Sequence, residues 1–397
     1  MNVPSQMVAV TLLNLRTIPQ RVGGSLVIVF GVGGVVAVLV SILAMSTGFR
    51  RTIEKSGHPD RAIVLARGAD SEAVSSLSRE EVMAIVDAPG IQRGTDGNPL
   101  ASPEIVVIAP VADRRNGFDA FATMRGVAPN LFSVRKELKL AAGRMYLPAV
   151  RELIVGRAAQ IQFVGVEIGD HVRLSGGDWT VVGVFSSNGS AEESGFIADP
   201  ETMLSAYRSN SYNSVTVQLA SASSFQTFKD TLTSNPLLAV DVQTESEYFS
   251  SMSGPINRIL RLVVYLVGGI MAIGALVGAL NTMYSAVSSR RIEIGILRAM
   301  GFSGGAVVTS ILAEALLLSS VGAVLGFLTA YLLFNGNVMS TVADVVGNNP
   351  QLVYRMTVSP ALGWIGVGLA FGIGIIGGAF PAARAARLSV AAALKTA

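Results

Sequence analysis

Four stretches of this sequence carry no charged side chain over a length that can cross a bilayer. They are residues 22–47, 262–289, 315–343 and 356–383, of 26, 28, 29 and 28 residues. At about 1.5 Å per helical residue, each exceeds a hydrocarbon core of roughly 30 Å. Only 14% of all residues are charged, against about 25% in an ordinary soluble domain. The pattern predicts an α-helical membrane protein with four transmembrane helices and a large extracytoplasmic α+β domain between helices 1 and 2. The expected order is an N-terminal interfacial helix at 1–21, transmembrane helix 1 at 22–47 and the outer domain at 48–255. Transmembrane helix 2 at 256–289 and a cytoplasmic helix and loop at 290–305 come next. Transmembrane helix 3 at 306–334, a short outer loop at 335–357, transmembrane helix 4 at 358–383 and a cytoplasmic tail at 384–397 complete it.

The first run exceeds the apolar core of about 7–15 residues usual for a signal peptide, and the segment before it is itself long and apolar. It therefore reads as an uncleaved anchor. In that leading segment Met7, Val8, Leu12, Leu15 and Ile18 form a weak helical stripe, ended by Pro19. Four spans put both termini on one side. Arg290, Arg291 and Arg298 follow the second run, and Arg384, Arg387 and Lys395 follow the fourth. The loop between the third and fourth has Arg355 alone for a basic residue. The positive-inside rule then places both termini and the 290 loop in the cytoplasm, with residues 48–255 outside the membrane. Arg50, Arg51 and Lys55 argue the other way and are outweighed. Small residues four apart, at Gly274/Gly278, Gly322/Gly326, Gly368/Gly372 and Gly374/Gly378, predict a closely packed bundle.

The long stretch between the first two runs mixes strand and helix signals. β-Branched runs predict strands at 61–66, 104–111, 118–127, 153–156, 166–174, 180–185, 215–219 and 239–244. Helices are expected at 78–86, with Ser78 as its cap, and at 224–233. Gly176-Gly177-Asp178 marks a hairpin. The order suggests α+β subdomains, one of them built from two separated stretches. Residues 188–194 read as a mobile polar loop in which Glu192 and Glu193 are solvated.

Several chemistries are excluded. The chain has no cysteine, hence no disulfide, thiolate nucleophile or thiolate-bound zinc. His58 and His171 lie far apart and show no ligand spacing. No Gly-x-x-x-x-Gly-Lys-Ser/Thr string occurs in the 397 residues, and Ser303-Gly304-Gly305 reads as a turn. A net charge of +3 is too small to imply nucleic acid. No catalytic, cofactor or metal site is expected. Two features remain. Glu314 sits near the apolar body of the third run, where a central carboxylate costs about 2.5–3.5 kcal/mol. A structural role is expected for it, pairing with Arg291 or Arg298 or capping a neighbouring helix. The other feature is residues 290–302, a helix with an apolar face of Ile292, Ile296, Ala299 and Met300 and a stop at Gly301. It reads equally as a topological anchor or as a helix that receives motion from a soluble partner.

The string Arg290-Arg291-Ile292-Glu293-Ile294-Gly295-Ile296-Leu297-Arg298-Ala299-Met300-Gly301 resembles a signature of MacB/FtsX-type ABC transporter permeases, Arg-x-Glu-Ile-Gly-x-Leu-Arg-Ala-x-Gly. Phe380-Pro381-Ala382-Ala383-Arg384-Ala385-Ala386-Arg387-Leu388-Ser389 resembles the family's ending. Asn14-Leu15-Arg16 and Glu314-Ala315-Leu316-Leu317-Leu318 resemble its stretches before the first span and at the start of the third. Gly143-Arg144 and Val182-Gly183-Val184-Phe185 resemble pieces of its outer core.

The resemblance implies that Arg290, Arg291, Glu293, Ile294, Gly295, Leu297, Arg298, Ala299 and Gly301 form a coupling helix seated in a cytoplasmic ATPase. It implies no cofactor on this chain, with ATP and Mg in a separate ATPase dimer. Further implied partners are a second permease copy in a homodimer, a periplasmic adaptor protein and membrane lipid. The expected function is mechanotransmission, in which ATP-driven motion moves the periplasmic domain for efflux or extraction of a lipophilic substrate, lipoprotein or peptide. LolC/LolE-like and DevC-like branches share this plan. The alternatives are an FtsX-like transmitter that activates a cell-wall hydrolase and a membrane-anchored outer enzyme. The size of the outer stretch favours the first reading, and no catalytic constellation supports the last.

Overall fold

The computed structural model describes residues 3–16, 22–128, 130–174, 176–341 and 352–387. The expectations for Ile18, Pro19, Lys395, the motif residues Leu388 and Ser389, and residues 342–351 of the outer loop lie outside them. The chain divides into two compact units. The first comprises Met1–Thr47, Asn257–Asn337 and Met356–Ala397, and the second Gly48–Ile256 and Val338–Arg355.

In chain order, helices α1 (Val3–Arg16) and α2 (Val22–Ser56) come first. Strand β1 (Arg61–Ala66), helix α3 (Arg79–Val86) and strands β2 (Ala101–Ala112) and β3 (Asp119–Gly126) follow. Next come α4 (Leu131–Val134), β4 (Lys139–Gly143), β5 (Glu152–Gly156), α5 (Arg157–Gln162), β6 (His171–Leu174) and β7 (Gly177–Ser186). Then come β8 (Phe196–Ala198), α6 (Pro200–Ala206), β9 (Ser214–Gln218), α7 (Ser224–Ser234) and β10 (Val240–Thr244). The chain continues through α8 (Glu245–Ser289), α9 (Arg291–Ala299), α10 (Gly304–Phe334), β11 (Val338–Ser340), β12 (Val353–Arg355) and α11 (Pro360–Ala386).

The second unit is built on one mixed sheet in the order β10-β1-β9-β2-β3-β8-β5-β7-β4, with β6 pairing β7. Strand β2 is its hinge-pin. Ala101–Glu104 pair with β9, and Ile105–Ala112 pair with β3. The end of the sheet formed by β10, β1, β9 and the start of β2 therefore comes from two separated stretches, as expected. The core lies on the apolar face of both halves and includes Val64, Ile105, Met124, Leu153, Phe163 and Trp179, all nearly inaccessible to solvent. The Ser78 cap is a full capping box: Ser78 Oγ accepts from Glu81 N–H at 3.2 Å, and Ser78 N–H donates to Glu81 Oε2 at 2.8 Å. The predicted hairpin is present, with Leu174 opposite Gly177. The strand expected at 166–174 forms only from His171.

One expectation is corrected. Residues Ala191–Ser194 form a 3₁₀ turn in which Glu193 and Ser194 are buried. Glu193 accepts N–H groups of Ser187 and Gly189, and Glu192 pairs with Arg135 at 2.6 Å. The two glutamates are not solvated. A Gly- and Ser-rich stretch shows no apolar period, so its burial is invisible until the groups that need its carboxylates are known.

Among the described residues, four helices are long and apolar enough to cross a membrane: Val22–Ser56, Arg258–Ser289, Gly304–Phe334 and Pro360–Ala386. Within the first unit, α2 and α10 meet at glycines: a Cβ on Gly322 would lie 2.8 Å from the Val29 carbonyl oxygen. α10 and α11 meet at Gly374, where a Cβ would lie 2.7 Å from Ser319 Oγ. The pairs Gly274/Gly278 and Gly368/Gly372 face nothing within 4 Å among the described residues. Two of the four small-residue pairs thus serve helix contact. Along α8, Ile259, Leu262, Tyr265, Ile270, Ile273 and Val277 are all more exposed than buried.

Candidate functional site

The stretch 290–303 becomes a short helix because its ends are specified. Arg290 occupies the position before α9, Glu293 lies in its first turn and Arg298 in its last, where each complements the helix dipole. Gly301 takes φ +91°. Its N–H donates to the Arg298 carbonyl at 3.1 Å, and the Phe302 N–H donates to the Leu297 carbonyl at 3.1 Å. This is the paired Schellman stop. Ser303 then caps α10, accepting from the Ala306 N–H at 3.2 Å, so the expected turn is also a helix start.

The face that α9 buries is not the apolar stripe. Ile294 and Gly295 are buried, while Ile292, Ile296 and Met300 are 45%, 46% and 63% exposed. Ala299 is exposed with them, as are Arg291 and Glu293; Leu297 and Arg298 are half-buried. Periodicity identifies the stripe but does not say whether it turns to its own core or outward.

Arg290 turns inward. Its Nη1 lies 3.1 Å from Glu314 Oε2 on α10, and Asn14 Nδ2 on α1 donates to the same oxygen at 2.9 Å. Both charged groups are buried. The partner expected for Glu314 was Arg291 or Arg298. Arg290 takes that place because it precedes α9 and reaches back to α10, whereas Arg291 is exposed. The Ser310 hydroxyl donates to the Val10 carbonyl at 3.3 Å and fixes α1 beside the pair. A cavity of about 360 Å³ adjoins it, walled by Val10, Leu13, Met283, Val287, Leu297 and Ile311. The Arg384 guanidinium lies 5.9 Å from the Tyr284 ring. The part that Asn14 plays beside Glu314 is one that sequence reasoning misses. Its only signal was its place in the resemblance to the family's opening motif.

A second concentration of charge lies in the second unit. Arg61 Nε is 2.7 Å from Glu245 Oε2, and Arg61 Nη1 is 2.6 Å from Glu137 Oε1. Arg135 contacts Glu192 at 2.6 Å, Glu245 at 3.1 Å and Glu104 at 3.6 Å. Arg125 binds Glu104 and, at 2.6 Å, Glu72. Burial works to raise the Glu72 carboxyl, but Arg125 outweighs it and holds it below its ordinary value. Burial pushes Glu245 up to about 7; Arg135 and Arg61 oppose that rise and the Glu192 charge adds to it. None of this was foreseen from the sequence. Among the described residues, no cluster of His, Asp or Glu could hold a metal ion.

The chain matches two family models: the MacB-like periplasmic core domain over residues 25–235 and the FtsX-like permease C-terminal domain over residues 265–390. It is similar to the macrolide export ATP-binding/permease protein MacB of Azoarcus sp. (strain BH72), 24% identical over 98% of this chain and 60% of that protein. It is also similar to the uncharacterized ABC transporter permease YknZ of Bacillus subtilis (strain 168), 23% identical over 93% of each chain. The chain therefore spans about 60% of the length of the first of these relatives. Among solved structures, the periplasmic region of MacB from Actinobacillus actinomycetemcomitans aligns with 52% of this chain and 98% of its own. That alignment has 15% identity and a TM-score of 0.37.

Proposed function

From the premise that this chain belongs to the MacB-like and FtsX-like family of ABC transporter permeases, we propose that it couples a cytoplasmic ATPase to movement of its outer domain. The chain itself binds no nucleotide; ATP and Mg belong to an ATPase outside these 397 residues. Helix α9 is the coupling helix. The observation that carries this is its outward apolar stripe of Ile292, Ile296 and Met300, held on a helix whose other face is buried and whose C-terminal end is closed by the Gly301 stop. An exposed apolar stripe on a defined helix suits insertion into a partner's groove.

In this reading both termini are cytoplasmic, and Gly48–Ile256 lies on the periplasmic side. The β11–β12 hairpin belongs to the same compact unit as Gly48–Ile256, which supports a four-span path with both on one side. The exposed apolar side of α8 faces a second copy of the chain in a homodimer. Substrate, a lipophilic molecule, lipoprotein or peptide, is driven outside the membrane, since the apolar runs offer no polar lining for a channel. A periplasmic adaptor engages the outer domain.

Reconstitution with the cognate ATPase tests the coupling. Ile296→Asp and Met300→Asp are expected to abolish permease-dependent ATP turnover while leaving the permease folded. Glu293→Ala and Arg298→Glu are expected to separate hydrolysis from transport. Full coupling in all four variants would sink the assignment of α9.

A further inference from the structure

The charge lattice of the second unit contains five carboxyl groups, on Glu72, Glu104, Glu137, Glu192 and Glu245, and three guanidinium groups, on Arg61, Arg125 and Arg135. At the edge of the lattice the half-buried His58 places its Nε2 3.9 Å from Glu137 Oε1. A buried site does not readily hold an uncompensated charge, so the favoured state of such a lattice carries a proton.

The geometry locates it. Arg135 Nη1 lies 2.6 Å from Glu192 Oε1 and 3.1 Å from Glu245 Oε1, so one nitrogen serves two carboxyls. Glu192 Oε2 and Glu245 Oε1 are both buried and, like Glu104 Oε1, accept no well-aligned hydrogen bond from any described residue, although Glu245 Oε1 keeps its ion-pair contact with Arg135. A proton on one carboxyl turns an orphan acceptor into a donor and supplies the other. We propose that Glu245 and Glu192 share one proton, and that this proton clasps the first turn of α8 to the Ala191–Ser194 turn.

The clasp has reach within its unit. Glu245 is the first residue of α8. The Ala191 N–H donates to Ser56 Oγ near the end of α2 at 2.7 Å, and Lys55 Nζ donates to the Asn188 carbonyl at 2.9 Å. Ser194 Oγ accepts from the Val353 N–H of β12 at 2.9 Å. One turn thus gathers the end of α2, the start of α8 and the β11–β12 hairpin.

Glu245 is faced by Arg61 on β1, Arg135 after α4, Glu192 on the 3₁₀ turn and the main-chain N–H of His58. Glu104 on β2 and Glu137 reach it through those arginines. Unfolded, its carboxyl ionises near the ordinary 4.5; folded, near about 7. The native state therefore holds the extra proton between those values. The stability this group contributes is full below about 4.5 and is lost as the pH rises to about 7.

The test uses the full chain in lipid nanodiscs. Infrared difference spectra between about pH 6 and about pH 8 read the protonated carboxyl. Hydrogen exchange, corrected for its intrinsic pH dependence, reads the opening of residues 187–194 and of the first turn of α8. With ionisation near 7, the charged fraction rises from about a tenth to about nine tenths over that interval. The carboxyl band is expected to vanish and exchange to quicken severalfold. Glu245→Gln, whose amide donates in the proton's place, is expected to lose the band and keep exchange slow at both pH values. Glu192→Gln reads the same clasp from the other side and serves if the first variant does not fold. A native chain with no pH response overturns the proposal. So does a Gln variant that keeps the native response, or a response abolished by His58→Gln alone.

Discussion

The two units bury charge on different terms. In the first, the buried charged side chains among the described residues are Arg290 and Glu314, one base for one acid, with the Asn14 amide completing the carboxylate's shell. In the second, three guanidiniums meet five carboxyls. An apolar bundle has no ready source of compensation, so an acid enters it only with its own base. A domain built on a sheet, with His58 and other members near solvent, can draw a proton from water and so tolerates an excess of acid. The difference teaches that side chains alone balance the buried charge in one unit, whereas in the other pH sets part of the balance.

The comparison breaks most severely at Arg135. Replacing it with alanine leaves Glu104, Glu192 and Glu245 facing one another, at a cost toward the upper end of about 3–5 kcal/mol. Thermal unfolding of the full chain should lose its outer-domain transition. Arg290→Ala strips Glu314 of its base and should cost about 3 kcal/mol. Adding Glu314→Ala to it should recover part of that loss, as one-to-one matching requires; an additive double variant would contradict the pairing. The pH slope comes next. Native stability should fall between about pH 4.5 and about pH 7. Glu245→Gln should remove that slope and gain up to about 3 kcal/mol at pH 8, measured by denaturant titration at several pH values. Glu314→Gln keeps the shape and both hydrogen bonds but loses the charge. It should cost about 1 kcal/mol, seen as weaker assembly with transport intact once assembled. At the low end, Arg79→Ala removes a pair with Glu201 that is more than half exposed on both sides, and no shift in melting should be resolved.

Legibility in the sequence followed the range of the interaction. The four long apolar helices, the Ser78 capping box, the Gly176–Gly177 hairpin and the Gly301 stop all depend on neighbours within a few residues, and each can be read locally. Arg61 and Glu245 are separated by 184 positions, and no local pattern announces their contact. The start of α8 was hidden for a related reason. Its first turns, Glu245-Ser246-Glu247-Tyr248, are polar, so hydropathy sees the helix only where the apolar run begins. For α9 the sequence supplied the helix, its stripe and its stop, but the direction of the stripe is a property of the fold. For Glu314 the sequence leaves open a pairing with Arg291 or Arg298 or a capping role, and the structure pairs it with Arg290. Which arginine reaches it depends on the chain's turn at Arg290, before α9 begins.

Strand β2 has a mechanical consequence. Its first four residues are laced to β9 and its remaining eight to β3, so a pull along this strand loads both ladders in shear at the same moment. In either ladder a slip of one residue would turn the side chains to the opposite face, so both resist sliding. Stretched between its ends in a single-molecule trap, the sheet should give way in one rupture event rather than two.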